Sequence, residues 1–186
     1  MTARDRSLVT VLIALLAASL SFAGEVTRVV AAGVLREARQ PQVAVDSQGR
    51  IYVAFGCGNT LYCAESEEGG HRFGAPVMVG EVPGLALGAR RGPRIAVSKD
   101  FVAITAACGS KESPNEVDVR CWRSLTAGKT WLGPAPVNSV HGSGREGLQA
   151  LASGPTGELV CVWLDLRRGK TDLFGSLSDD GGLSWS

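Results

Sequence analysis

Short runs of alternating apolar and polar residues, separated by turns rich in Gly, Asp, Ser and Pro, follow one another along most of this chain. In the run 50–56, Ile51, Val53 and Phe55 fall on one face of a strand, as a period of two requires. The pattern predicts an all-β chain of short strands joined by tight turns. The predicted strands are 42–45, 50–56, 61–66, 75–79, 94–97, 101–107, 117–124, 134–137, 148–151, 159–164 and 173–178.

One turn sequence is distinctive: residues 178–185 read Ser-Asp-Asp-Gly-Gly-Leu-Ser-Trp. The carboxylate of Asp180 can accept hydrogen bonds from backbone N–H groups of its own loop, and Gly182 can adopt a positive φ. The hydroxyl of Ser178 can bond locally, and Trp185 supplies a large apolar side chain at the start of the next strand. We therefore predict a hairpin turn that is stapled by its own side chains.

The same turn phrase recurs in weaker form at 66–73 and 124–131. The three copies start 58 and 54 residues apart, and a nearly constant spacing of one turn indicates a repeat architecture. The residues assigned to the three turns are Ser66, Glu68, Gly70 and Phe73 in the first, Ser124, Thr126, Gly128 and Trp131 in the second, and Ser178, Asp180, Gly182 and Trp185 in the third.

These phrases resemble the Asp-box (BNR) repeat of the sialidase (neuraminidase) superfamily. The resemblance spans residues 39–186 and implies a six-bladed β-propeller, of which this chain supplies the N-terminal half. We assign about three four-stranded antiparallel blades to 39–81, 91–138 and 145–186, the last incomplete. Since unpaired strand edges would be exposed, we expect a truncated gene product or a fragment; the alternative is a domain closed by a partner chain.

The first 23 residues are typical of a secretory signal peptide. Two arginines precede an apolar run at 9–20 that is short for a membrane span, and Ser21-Phe22-Ala23 offers small residues for cleavage. We expect a secreted or periplasmic protein with no membrane association after cleavage; an uncleaved N-terminal anchor is the alternative. Residues 24–38 are predicted to form a strand or linker before the first blade.

Composition narrows the choice of partners. The 186 residues carry 19 Lys and Arg against 18 Asp and Glu, a formal net charge of +1. A nucleic-acid-binding surface needs a basic excess, so we expect no nucleic-acid partner. With only two His and no Cys-x-x-Cys spacing, we expect no metal and no cofactor. The oligomeric state is left open.

The five cysteines of an exported protein are first considered as disulfide candidates. Cys57 and Cys63 flank a predicted hairpin loop in the first blade, and Cys108 and Cys121 flank its counterpart in the second. Because facing Cα atoms on a hairpin lie about 4.5–5.5 Å apart, we predict Cys57–Cys63 and Cys108–Cys121 disulfides. The alternative is reduced, buried thiols. Cys161 falls mid-strand and is predicted to be an unpaired core thiol.

Three arginines are candidates for binding an acidic glycan. In sialidases the active site lies on the face away from the Asp boxes, and Arg39-Gln-Pro and Arg91-Gly-Pro resemble the Arg-Ile-Pro motif that opens the sialidase domain. That arginine belongs to a three-arginine clamp on the sialic acid carboxylate, which a planar guanidinium meets bidentately. Internal alignment adds Arg145, and the alternative is solvated loop arginines paired with nearby carboxylates. The alignment rests on Ala44, Ala96 and Ala150.

The loop 165–172 is the most polar on that face. Asp165 is the candidate general acid, because a carboxyl buried beside Trp163 can have its pKa raised enough to protonate a leaving oxygen. Glu146 is the second carboxyl there, and Arg167 is a further candidate for substrate binding. The alternative is an Asp165–Arg167 pair that pins the loop.

Sialidases use a Tyr nucleophile, and neither Tyr52 nor Tyr62 matches it. The chain therefore lacks a complete catalytic set, and whether it is an enzyme stays open. The resemblance implies a parental exo-α-sialidase-type hydrolysis of terminal sialic acid or a similar acidic sugar. The alternatives are a non-catalytic glycan- or protein-binding propeller and an inactive fragment.

Overall fold

A computed structural model describes residues 26–88, 90–109 and 116–186, with all side chains in these ranges except those of Glu68 and Glu146. The described residues form strands and turns, with one 3-10 turn at Glu68–Gly70. The predicted signal peptide lies outside them. The strands are β1 Arg39–Val45, β2 Ile51–Cys57, β3 Thr60–Glu67, β4 Arg72–Phe73, β5 Val77–Glu81, β6 Arg94–Val97, β7 Val102–Gly109, β8 Val117–Ser124, β9 Leu132–Pro136, β10 Gly144–Ser153, β11 Leu159–Asp165 and β12 Asp172–Ser178.

These strands form three antiparallel sheets, which we call blades 1 to 3. Blade 1 has the order β1-β2-β3-β5, with β4 also paired to β3; blade 2 is β6-β7-β8-β9, and blade 3 is β10-β11-β12. The inner strands β1, β6 and β10 contact one another in sequence, so the blades follow one another around a common axis. This confirms the predicted all-β partial propeller.

Every predicted strand from residue 42 onward has an observed counterpart; the largest difference is in β10, which starts at Gly144 rather than at residue 148. Of the two forms predicted for 24–38, a strand or a linker, the described residues 26–38 show turns and bends and no strand. Its apolar residues Val29 and Val30 instead pack on the outer face of blade 1, against Phe55. They cover a sheet face instead of pairing with a sheet edge.

Two apolar cores lie between the blades. Tyr52, Leu61, Ile104 and Trp122 belong to the core that joins blades 1 and 2. The second core joins blades 2 and 3 and is built from alternate residues of the strands, which include Val119, Leu159, Cys161 and Trp163. Each fully buried side chain of this size contributes about 1.5–3 kcal/mol, so these interfaces hold the blades together.

The outer face of blade 3 is apolar and exposed. Val160, Leu173 and Leu177 are 38%, 72% and 56% exposed, respectively. They occupy the positions that alternate with the buried residues of β11 and β12. Ser186 exchanges two backbone hydrogen bonds with Leu177, which begins a further strand pairing beyond β12.

Asp180 staples the third turn phrase. Its Oδ1 accepts hydrogen bonds from the backbone N–H groups of Leu183 at 2.9 Å and Ser184 at 3.0 Å, and its Oδ2 accepts one from the Ser184 hydroxyl at 2.6 Å. The Oγ of Ser178 accepts a hydrogen bond from Gly182 N at 2.9 Å. Ser178 Oγ in turn donates to Asp180 Oδ1 at 2.8 Å. The hydrogen bonds that Asp180 accepts, above all the one from the Ser184 hydroxyl, hold the pKa of Asp180 well below its ordinary value.

A hydroxyl replaces that carboxylate in the second turn phrase. The Oγ1 of Thr126 accepts from Thr130 N at 2.9 Å and lies 2.7 Å from the Thr130 hydroxyl oxygen. Ser124 Oγ accepts from Gly128 N at 2.8 Å, as Ser178 does from Gly182. The second turn therefore has the same serine-to-glycine bond with an uncharged substitute for the Asp.

The first turn phrase is held differently. Ser66 Oγ accepts a hydrogen bond from Ile51 N, on β2, at 2.8 Å. The side chain of Phe73 packs on the cluster around Val53 and Phe55. This turn is thus attached to its blade by a cross-strand bond and an apolar contact.

The predicted disulfides are wrong, because all five cysteines are free. On the first hairpin Cys57 faces Thr60 and Cys63 faces Ala54, so the two cysteines are three residues out of register. An odd offset points the side chains to opposite faces of the sheet and separates them by about 10 Å along the strand. Cys108 and Cys121 are offset by three residues in the same way. Cys161 is a buried free thiol, as predicted, and burial raises its pKa to about 12.

Candidate functional site

We call upper face the side of the blades that carries the β2–β3 and β11–β12 loops and the segments entering β6 and β10. The turn phrases lie on the opposite, lower face together with the β1–β2 and β6–β7 turns, as their shared contacts show: Asp46, Phe101 and Ala127 line one cavity there. Antiparallel connectivity imposes this separation, because successive loops of a blade alternate between its two ends.

The segments that enter the inner strands approach one another closely on the upper face. A Cβ at Gly92, before β6, would clash with the side chain of Gln40, which follows Arg39. A Cβ at Gly147, in β10, would lie 2.8 Å from Ala86 and 3.9 Å from the Cβ of Arg91. The backbones of neighbouring blades therefore meet at the upper ends of their inner strands β1, β6 and β10, which we call the channel ends. Arg39 and Arg91 lie beside these contacts.

The observed register corrects the alignment that selected Arg145. Val45, Val97 and Ser153 each face the first residue of the second strand of their blade. Counting back six residues from each gives Arg39, Arg91 and Gly147, so Arg145 lies two residues before the equivalent position. A register shift between Gly144 and Gln149 accompanies the greater length of β10. Arg145 still reaches the upper face, where its guanidinium donates to the Thr171 hydroxyl.

Asp165 is not suited to the predicted role of general acid. Its side chain is fully buried, and its Oδ2 accepts hydrogen bonds from Ser143 Oγ at 2.7 Å and Trp163 Nε1 at 2.8 Å. Arg167 donates through Nε to Oδ1 and through Nη2 to Oδ2, both at 2.9 Å. Burial alone would raise the pKa of Asp165, but these hydrogen bonds outweigh it and hold the pKa far below its ordinary value. The group therefore stays ionised and has no proton to give.

Arg167 is engaged in the same cluster, which corresponds to the alternative of an ion pair that pins the loop. Its guanidinium lies 4.1 Å from the ring centroid of Phe174, and its Nη1 donates to Ser139 Oγ at 3.3 Å. It therefore ties the β11–β12 loop to the segment before β10. Glu146 lies within β10, and its side chain is outside the described residues.

A second carboxylate anchors the segment that enters β10. Asp118, on β8, accepts hydrogen bonds from Asn138 Nδ2 at 3.0 Å and Gly142 N at 2.7 Å, and its Oδ2 lies 2.6 Å from His141 Nδ1. Burial alone would raise the pKa of Asp118, but these hydrogen bonds lower it. The His141 side chain is 65% exposed. Asp118 thus fixes one ring nitrogen of an imidazole whose other edge faces solvent.

A third polar group lies at the channel end of the interface between blades 2 and 3. Arg94, the first residue of β6, and Gln149, on β10, border an open groove of about 230 Å³, whose apolar side chains, such as Leu148 and Leu173, lie on the outer face of blade 3. Gln149 is only 6% exposed, and its Nε2 has no hydrogen-bond partner among the described residues. Among the described residues, Arg94 donates to the backbone carbonyls of Gly92, Pro93 and Arg90.

Arg94, Gln149, Asp118 and His141 were not among the candidates chosen from the sequence. The alternation of β10 could have indicated Gln149, because it shares a parity with Leu151 and so faces the core as a polar residue. Arg94 follows Pro93 directly and was assigned only to a strand. His141 and Asp118 lie 23 residues apart, and no local signal joins them.

The described residues contain neither a membrane-spanning helix nor a metal-binding cluster. No helix there is long and apolar enough to cross a membrane. No group of three or more His, Cys, Asp and Glu side chains in that part of the chain is arranged to hold a metal ion.

No protein-family description and no curated protein matches the sequence. Solved structures do match. A protein of unknown function from Dyadobacter fermentans has 20% identity and a TM-score of 0.53, over 81% of this chain and 53% of its own. The α-L-arabinofuranosidase Arb93A of Fusarium graminearum has 15% identity and a TM-score of 0.52, over 81% and 47%.

The NanB sialidase of Streptococcus pneumoniae, as a K499G mutant, has 12% identity and a TM-score of 0.55, over 77% of this chain and 21% of its own. This chain therefore spans about half, or less, of the length of the structures that it resembles. At such low identity the likeness concerns the fold alone: the chain has the backbone of a partial β-propeller.

Proposed function

We propose that this chain is part of an exported, carbohydrate-active β-propeller that binds an acidic glycan on its upper face. The observation that carries the proposal is the concentration of guanidinium groups at the channel ends of adjacent blades. Arg39, Arg91, Arg94 and Arg145 all lie there, opposite the face of the turn phrases. A surface rich in guanidinium groups attracts ligands of negative charge.

Two of the similar structures support the class of ligand. One is an arabinofuranosidase and one a sialidase, so related backbones act on sugars. In propellers of this kind the loops of one face change chemistry while the blades stay the same. Exo-α-sialidase-type hydrolysis of a terminal acidic sugar is the finer form of the proposal.

The hydrolytic step has no acid or nucleophile among the described candidates. Asp165 is ionised and enclosed, as described above. Tyr52 is 2% exposed and lies beside Asp46 at the lower face, and burial raises its pKa to about 12. Glycan binding without turnover is therefore the second candidate function, favoured by the structural use of Asp165.

A paired assay on the full chain separates these functions. Turnover of a fluorogenic sialoside would support the sialidase form, whereas binding to an array of acidic glycans without turnover would support the binding form. Failure to bind any acidic glycan would contradict the proposal. Export is tested separately, by N-terminal sequencing of the protein recovered outside the cytoplasm, which should begin at Gly24.

A further inference from the structure

The outer face of blade 3 is apolar across all three of its strands. Directly opposed residues on antiparallel strands project to the same side of a sheet, as Val160 and Leu177 do here. The face consists of Ala150 and Ala152 on β10, Val160, Val162 and Leu164 on β11, and Leu173, Gly175 and Leu177 on β12. None of these residues is polar and none is buried. Monomeric proteins rarely expose a contiguous apolar surface of this kind, so the face is typical of an interface.

The strand register shows what kind of surface this face fits. In each blade, the second residue of the second strand lies on the side that is turned toward the following blade. Tyr52 of blade 1 is buried in the core with blade 2, and Ala103 of blade 2 is buried in the core with blade 3. Val160 holds the same position in blade 3 and is exposed. The outer face of blade 3 therefore corresponds to the faces on which blades 1 and 2 each receive another blade.

The complementary surface is the outer face of blade 1. The first residue of the second strand lies on the side turned toward the preceding blade, as Leu159 of blade 3 does in the core with blade 2. Ile51 is the equivalent residue of blade 1, and Val45 faces it from β1. The segment 26–38 covers part of this face, but Val43 and Val45 remain 64% and 57% exposed. Each copy of the chain thus carries one exposed face that receives a blade and one that presents a blade.

We propose that a second copy of this chain covers both exposed faces in solution, with blade 3 of each copy packed against blade 1 of the other. A two-fold axis along the channel relates the copies, so one rotation makes both contacts and the blades of the two copies close into a ring. The chain matches 53% and 47% of two similar structures, so two copies together have about the length of one such structure. The second copy is therefore a partner that matches both the shape of the exposed faces and the missing part of the ring.

Two other arrangements of copies are distinguishable from the ring. Back-to-back pairing of two blade 3 faces would bury those faces but leave Val43 and Val45 of blade 1 exposed. A contact between blade 3 and blade 1 whose rotation does not close would give open chains of copies that lengthen with concentration. Among these arrangements, the two-fold ring covers both faces within a dimer of defined size.

Size-exclusion chromatography with light scattering on the full chain tests the ring, and we expect a particle of twice the chain mass. Val160→Glu places a charge in the contact on blade 3, and Val45→Lys places one in the contact on blade 1, both near the lower face. Because a two-fold ring contains each contact twice, either variant should raise the dissociation constant of the dimer about a hundredfold or more. An equimolar mixture of the two variants should recover the dimer, since one contact of the mixed ring is then parental and the other brings Glu and Lys together.

Val140→Glu is the matched control, because Val140 is 41% exposed, close to the 38% of Val160, and lies before β10, outside both faces. It should form the dimer as the parent chain does. Circular dichroism shows whether each variant folds, and Leu177→Glu, on the same face, replaces Val160→Glu if that variant does not fold. A parent chain that stays a monomer at its highest soluble concentration would overturn the proposal, as would oligomers that lengthen without limit. A dimer that dissociates with Val160→Glu but not with Val45→Lys would indicate back-to-back pairing and would also overturn the ring.

Discussion

Blade 3 carries two buried polar clusters that differ in whether the protein satisfies them. Around Asp165, both carboxylate oxygens accept hydrogen bonds. The guanidinium of Arg167 donates to this carboxylate and to Ser139 and lies over the ring of Phe174. Around Gln149, a buried donor has no partner among the described residues, and the neighbouring Arg94 has no counterion there. We call the first cluster closed, because its polar groups have hydrogen-bond partners within the protein, and the second open, because one of its buried donors has none among the described residues.

The difference shows why polarity and burial alone do not identify a functional residue. Asp165 looked catalytic because it is a carboxyl that follows a Trp in a polar loop. Its hydrogen bonds instead stabilise the charged form and fix the loop, which is a structural role. Gln149 differs, because its buried Nε2 has no hydrogen-bond partner among the described residues. The following experiments test this contrast.

The largest effect is expected from breaking the closed cluster. Asp165→Asn removes the charge that compensates Arg167 inside the protein, and loss of one partner of a buried pair costs about 3–5 kcal/mol. The free energy of unfolding, from urea titration of the full chain, measures it. Asp172→Asn is the control, because Asp172 faces Asp165 across β11 and β12 but is only half-buried. A similar, small loss in both variants would show that the pair is not structural.

The same cluster predicts acid sensitivity. The pKa values of Asp165 and Asp180 are lowered in the folded chain relative to the unfolded chain. Their stabilisation is therefore fully present above the unfolded value of about 3.9 and is lost as the pH falls below it. Thermal melts between pH 7 and pH 3 should show a falling midpoint. Asp165→Asn should flatten that dependence, and an unchanged pH profile in the variant would contradict the assignment.

Strand positions were predictable from the sequence, because alternation is a local property of the chain. The run Arg94–Val97 and the run Val117–Ser124 were placed with their observed bounds. Pairing was less predictable. The turn at residues 58–59 makes Cys57 face Thr60, and that register rules out the Cys57–Cys63 bond that proximity in sequence suggested.

The sequence predicts on which face of the blades the candidate site lies, but not which residues form it. The upper face follows from connectivity, but which arginine occupies which position depends on β10, whose register shifts between Gly144 and Gln149. That irregularity moved Arg145 away from the position equivalent to Arg39 and Arg91. The open cluster depends on contacts between blades 2 and 3, which single-strand patterns do not contain.

A smaller effect should distinguish the third turn from the second. Asp180→Ala removes an ionised acceptor of four hydrogen bonds and should cost about 1–2 kcal/mol, whereas Thr126→Ala removes a neutral acceptor and should cost about 0.5–1 kcal/mol. Urea unfolding of both variants measures the two costs. If the Thr126 variant lost as much as the Asp180 variant, the charge of Asp180 would contribute nothing to the staple.

The smallest effect is expected where the cluster is open, and its sign is opposite. Gln149→Leu removes a buried donor that has no protein partner and replaces it with an apolar side chain of similar size, so the ligand-free chain should be unchanged or stabilised by up to about 1 kcal/mol. Urea unfolding in the absence of sugars measures it, beside Asp165→Asn. A loss above about 2 kcal/mol would mean that Gln149 makes a structural bond, through water or another group.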